Sequence, residues 1–146
     1  MSRYLINLPE KYIYSTEYKV LYSDINAANH VGADRILPIA LETQLSFIKF
    51  LGYENAIVFE DAGLIMSNSQ IDYVSETRYG HKLRVDVAVE FVSEKSFDLI
   101  YRLYNETKDR ETARVKARML FFDYSEQKVI QVPAGFIEKL NKIVMA

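Results

Sequence analysis

Residues 23–51 read SDINAANHVGADRILPIALETQLSFIKFL, a short polar stretch that runs without a break into a long apolar segment. Asp24, Asn26, Asn29, His30 and Asp34 crowd the polar part. Projected at about 100° per residue, the rest places Arg35, Glu42, Ser46 and Lys49 in one narrow arc. Ile36, Leu37, Ile39, Ala40, Leu41, Leu45, Phe47, Ile48, Phe50 and Leu51 occupy most of the remaining circumference, interrupted by Thr43 and Gln44. A helix apolar over about two thirds of its girth has to be wrapped by other structure, not merely laid upon it. The pattern predicts a helix over 34–51, with Gly52 just past its end. Pro38 is tolerated only in a first turn. Either regular helix starts near Leu37 and residues 29–36 form a longer turn, or it starts at Asp34 with a kink.

Working outward, Glu17–Ser23 alternates Tyr18, Val20 and Tyr22 against Lys19, Leu21 and Ser23, as a first strand does. Gly63–Val74 reads as a second strand. Three later segments alternate cleanly: Leu83, Val85, Val87, Val89 and Phe91; then Phe97, Leu99, Tyr101 and Leu103; then Ala113, Val115, Ala117, Met119 and Phe121. A period of two sustained this long means antiparallel strands with one face buried. Polar turns at Ser93–Lys95 and Asn105–Arg110 join them into a meander, and Ala134–Val144 reads as a short closing helix. The expected fold class is α+β in the order β-α-β-β-β-β. A long central helix is wrapped by a curved five-stranded antiparallel sheet, in a single domain spanning 1–146.

Composition narrows the chemistry. The chain has no cysteine, which excludes disulfides, thiolate catalysis and Cys-based metal sites. Its two histidines lack ligand-like spacing to acidic partners, so no metal is expected. A formal net charge of −2 gives no reason to expect a nucleic acid or an anionic membrane as partner. The opening residues MSRYLINLPEKY lack the apolar core of a signal peptide, and no apolar run approaches a membrane span. The expectation is a cytoplasmic protein without membrane association.

A cluster of donors, acceptors and one imidazole at the mouth of a buried helix is a common way to build a small-molecule site, because helix N-termini offer unpaired N–H groups and a positive dipole end. The same residue types also have structural uses. Asp34 suits an N-cap, Asp24 and Asn29 suit tight turns, and Glu42 suits a solvated face. Arg78, Arg84, Arg102, Arg114, Lys116 and Arg118 could meet phosphates, but Asp86, Glu90, Asp98 and Glu111 are available to pair with them.

The ordered set Asp24-Ile25-Asn26-Ala27-Ala28-Asn29-His30-Val31-Gly32-Ala33, then Leu37, Glu42 and Gly52, resembles the hotdog-fold acyl-CoA thioesterases of the 4-hydroxybenzoyl-CoA thioesterase type. Their first strand ends in Asp-x-Asp-x-x-Gly-His-Val-Asn-Asn. The likeness continues through Ile71-Asp72-Tyr73, Tyr79-Gly80-His81-Lys82-Leu83, Ser96-Phe97, Phe122-Asp123 and Pro133. It implies hydrolysis of an acyl-CoA or acyl-carrier thioester by activated water at a dimer-interface site. Coenzyme A would enter as part of the substrate, with no resident cofactor, and the chain would pair with itself as a homodimer or a tetramer. The family's catalytic carboxylate falls at Asn26, and an amide has no ionisable oxygen to serve as base or nucleophile. Asp34 or Glu42 is then expected to activate water, with Asn26 and His30 completing the catalytic set. Asp24, Asn29, Val31 and Gly32, together with Ser67 and Asn68 of the second strand, are expected to bind substrate. The rival expectation is a catalytically weak hotdog domain that holds a thioester without turning it over.

Overall fold

The structure, a computed structural model, describes residues 5–144, so the outermost residues of the expected 1–146 unit lie outside the described residues. Its centre is the helix α1 (Ile36–Phe50), entered through a 3-10 turn at Ala33–Arg35. Both halves of the Pro38 argument hold in part. The helical path starts early, but regular α-geometry waits until Pro38 falls in its first turn, where an N–H would have no intrahelical partner. Gly52, at φ 107°, ends the helix in a conformation that side chains resist.

The remaining elements are β1 (Tyr14–Lys19), β2 (Val58–Phe59), β3 (Ala62–Tyr73), β4 (Lys82–Ser93), β5 (Ser96–Asn105), β6 (Arg110–Asp123), β7 (Lys128–Ile130) and α2 (Ala134–Val144). All pairings are antiparallel, in the order β1-β4-β5-β6-β3-β2, with β7 on β6. A long helix held by a curled antiparallel sheet, with a short closing helix, is the hotdog arrangement. The sheet has seven strands where five were expected. β2 is a two-residue pairing that folds back on the start of β3, and β7 takes the flank of β6 at Phe121–Asp123, beyond the last β5 pairing at Leu120. The first strand also sits earlier than its alternation suggested. Asp24 captures the Leu21 amide at 2.9 Å and bends Tyr22–Asp24 into a 3-10 turn.

The helix-facing side of the sheet carries Leu83, Val85, Val87, Leu99, Tyr101, Leu103, Val115 and Phe121, all buried in one cluster with Ile36, Ile39, Ala40, Phe47 and Ile48 of α1. Each fully buried aliphatic or phenyl side chain contributes about 1.5–3 kcal/mol. The helix is buried differently from its apolar projection: Thr43 and Gln44 are inside, while Leu41 and Phe50 are exposed. Thr43 satisfies its hydroxyl on the Ile39 carbonyl at 3.1 Å. α2 closes one end by inserting Phe136, whose ring lies 5.2 Å from Phe97 and 5.1 Å from Phe121.

On the opposite sheet face, the segment before β1 lies across the strands. Ile6 is buried against Ala88 and Ile100. Its N–H donates to Asp72 at 2.5 Å, and its carbonyl accepts from Arg114 at 2.8 Å. The basic residues of this face are mostly occupied within the sheet: Arg84 with Asp86, Arg102 and Arg114 with Glu111, Lys116 and Arg118 with Asp98.

Candidate active site

The polar stretch between β1 and α1 folds into a loop fastened from inside. Asp24, 1% exposed, is its anchor. Its carboxylate accepts from the Tyr18 hydroxyl at 2.7 Å, the Leu21 amide at 2.9 Å and Arg35 Nε at 3.2 Å. Burial and this hydrogen bond push the Tyr18 phenol up to about 12, so it stays protonated and keeps donating. Asn26 ties the tip of the loop: its side-chain oxygen accepts from the Ala28 amide at 2.9 Å, and its carbonyl accepts from the Asn29 amide at 3.0 Å. Asn29 sits at φ 64°, where Asn is among the best-tolerated side-chain-bearing residues, and its carbonyl accepts from Arg78 at 3.2 Å.

Two of the backbone donors expected for substrate are already taken. The Val31 amide donates to the Thr77 carbonyl at 2.8 Å, and the Gly32 amide to the Asp24 carbonyl at 3.0 Å. What remains is the next pair. Arg35 N–H donates to Gly32 at 2.9 Å, and the Ala33 and Asp34 amides precede any carbonyl the turn can offer them. Neither helical start, at Gly32 or at Arg35, has a side-chain cap. Asp34 therefore does not cap the helix. Its carboxylate folds back over Gly32, where an added Cβ would lie 2.4 Å from Asp34 Oδ1 and 3.6 Å from Asn26 Cβ. Glycine at position 32 leaves room for the Asp34 carboxylate.

The uncapped start opens on a cavity of about 310 Å3. His30, Val31, Ala33 and Ile36 form one wall, and residues 73–77 at the end of β3, with Thr112, form the other. His30 Nδ1 lies 3.2 Å from the Val31 carbonyl; donating there leaves Nε2 as an acceptor. The far wall is rigidly built: Tyr73 donates to the Ala33 carbonyl at 3.0 Å, and the buried Thr77 and Thr112 hydroxyls bond each other at 2.8 Å. Glu76, which sequence reasoning passed over, lines this cavity. Its local sequence is an ordinary polar loop, and only the fold brings it opposite His30.

Other expected residues lie elsewhere. Glu42 lines a separate cavity of about 510 Å3 between α1 and β1, with Thr16, Tyr18 and Arg35, and within one chain it is not gathered with Asn26, His30 and Asp34. Ser67 and Asn68 are exposed on β3; Asn68 pairs with Arg118 and lines a small surface pocket with Asp98 and Lys116. Among the described residues no group of three or more His, Asp or Glu is placed to hold a metal ion, and no helix is long and apolar enough to cross a membrane.

A sequence profile of the thioesterase-like superfamily matches residues 20–140, which include the whole loop, α1 and the cavity walls. No curated protein matches the sequence significantly. Among solved structures, a 1,4-dihydroxy-2-naphthoyl-CoA thioesterase from Synechocystis is similar with a TM-score of 0.69 at 18% identity, over 88% of this chain and 95% of that one. A Staphylococcus aureus protein solved in complex with CoA is similar with a TM-score of 0.78 at 14% identity, over 94% and 87%. A 12:0-ACP thioesterase from Umbellularia californica gives 0.78 at 6% identity, over 89% of this chain and 50% of that one. At these identities the structures share the fold.

Proposed function

Since the chain belongs to the thioesterase-like superfamily, whose enzymes hydrolyse thioester bonds, we propose that its substrate is an acyl-CoA or acyl-carrier thioester, bound with the carbonyl oxygen at the Ala33 and Asp34 amides. The observation that carries this reading is the uncapped helical start facing a cavity. Two N–H groups with no partner among the described residues, together with a helix dipole, stabilise the charge that gathers on a thioester oxygen as water adds. The acyl group lies between Ile36 and Val74, and His30 and Asn26 orient the water. A carboxylate takes the water's proton; of the two expected from sequence, Asp34 is in the loop and Glu42 on the far side of the helix, and neither lines this cavity. The catalytically weak binder remains the rival because Asn26 replaces a carboxylate and serves the loop's own amides.

The same reading includes the pairing of two copies. Among the described residues the outer edge of β3 beyond its short pairing with β2 is open, and Ile57 and Val58 at β2 and Tyr73 at the end of β3 are exposed. Joining two such edges would continue the sheet and cover this rim.

Ala33→Pro is the direct test. Proline removes one of the two donors at a position where helices accept it, and Gly32, at φ −69° and ψ 150°, already has the conformation that a residue before proline prefers. Free-thiol release from short, medium, long and aromatic acyl-CoAs should fall by about 10²-fold or more while the protein stays folded. Unchanged release would remove the oxyanion assignment. Binding of the panel by the wild-type protein without thiol release would favour the rival.

A further inference from the structure

One acidic residue, Glu76, lines the cavity at the helical start, and it is neither of the two carboxylate candidates that the sequence singles out. Resting on the hydrolytic reading above, we propose that Glu76, rather than Asp34 or Glu42, is the catalytic carboxylate that accepts the proton of the attacking water.

Glu76 lines the same cavity as His30 and Ala33, on the opposite wall. A water held between Glu76 and a carbonyl seated at the Ala33 amide is bonded to its base on one side and faces the electrophilic carbon on the other. Asp34 does not line this cavity; its carboxylate lies over Gly32. Glu42 lines the cavity on the β1 side of the helix.

The backbone at Glu76 is fixed from several directions. Arg110 donates to the Glu76 carbonyl at 2.8 Å. The next residue, Thr77, is buried, and its carbonyl receives the Val31 amide of the site loop at 2.8 Å. Arg78 lies 3.4 Å from the Glu76 carboxylate and also donates to the Asn29 carbonyl at 3.2 Å, so one guanidinium links this carboxylate to the loop. The Glu76 side chain itself is 58% exposed, which leaves it free to meet water and substrate.

The step balances without a co-reactant. The water oxygen forms the new C–O bond as its proton passes to Glu76, and the carbonyl π pair moves onto the oxygen at the Ala33 amide. When the carbonyl re-forms, the C–S bond breaks and the departing sulfur takes the proton back from Glu76. The products are a carboxylic acid and a thiol, and the carboxylate is restored.

The experiment compares E76Q, E76D and D34N with the wild type by thiol release across pH, alongside thermal unfolding. E76Q should lower kcat by about 10²-fold or more with KM little changed, lose the acid limb of the pH profile, and unfold as the wild type does. E76D, one methylene shorter, should recover part of kcat and restore the limb, whereas D34N should keep the limb. An active wild type beside an equally active E76Q would overturn the role of Glu76 alone, as would an E76Q protein that is slow yet keeps the acid limb. A wild type that releases no thiol would overturn the hydrolytic reading and this role with it.

Discussion

Tyr101 lies on the central strand β5, 1% exposed, with a hydroxyl that has no hydrogen-bond partner among the described residues. Burial alone pushes its phenol far above the ordinary value of 10.0, so the group stays neutral and unpaired. A buried unpaired hydroxyl is a stability defect of about 1–3 kcal/mol. Tyr101→Phe should therefore raise the urea midpoint, by about 1 kcal/mol in unfolding free energy, without changing thiol release. A loss of stability would mean that the hydroxyl is bonded after all. At this scale the sequence is a good guide to which residues gather and a poor guide to what each does. Asp24, Asn26, Asn29 and His30 are adjacent in the chain and meet in the fold. Yet nothing local distinguishes buried Asp24, bonded to three donors, from exposed Asp34.

The turn Glu76–His81 is the element on which the loop rests. His81 Nδ1 accepts from the Arg78 amide at 3.1 Å, and the Asn105 side-chain amide lies 3.0 Å from the same nitrogen. Two donors on one nitrogen require it to be unprotonated, and desolvation, then Lys108, Arg110 and Arg78, lower the imidazole below its ordinary 6.5. The sign follows. Below 6.5 the unfolded chain binds the proton more readily than the native one, so the neutral ring's contribution is complete above that value and is lost as pH falls through it. His81→Asn keeps an acceptor but cannot titrate. Between about pH 7.5 and about pH 5.5 the wild type should lose more stability than this variant, read as the shift in urea midpoint. Equal losses would remove His81 from the acid response. Strands β4–β6 and helix α1 were legible because each repeats its period over many residues. β2 and β7 were not, since two- and three-residue pairings carry no period. The cavity joins residues 30–36 to 73–77, a contact no local pattern announces, which is why Glu76 escaped notice.

Across the whole molecule the two sheet edges differ. β1 ends the sheet beside α1, whereas β3 leaves most of a twelve-residue strand open, with Ser67, Asn68, Ser69 and Gln70 exposed. Antiparallel joining of two β3 edges would bring each copy's Asn68 and Gln70 near their counterparts, close to Lys116 and Arg118. The double variant Asn68→Lys, Gln70→Lys adds like charges there and should turn a sedimenting dimer into a folded monomer. Wild type and variant sedimenting at the same mass would exclude this edge as the seam.

The strip of chain running over the sheet's back has its own bearing on assembly. Ile6 fills the shallow hollow over Ala88 and Ile100, held at both ends by Asp72 and Arg114. A neighbour approaching from behind would meet main chain already in place and would have to peel it away first.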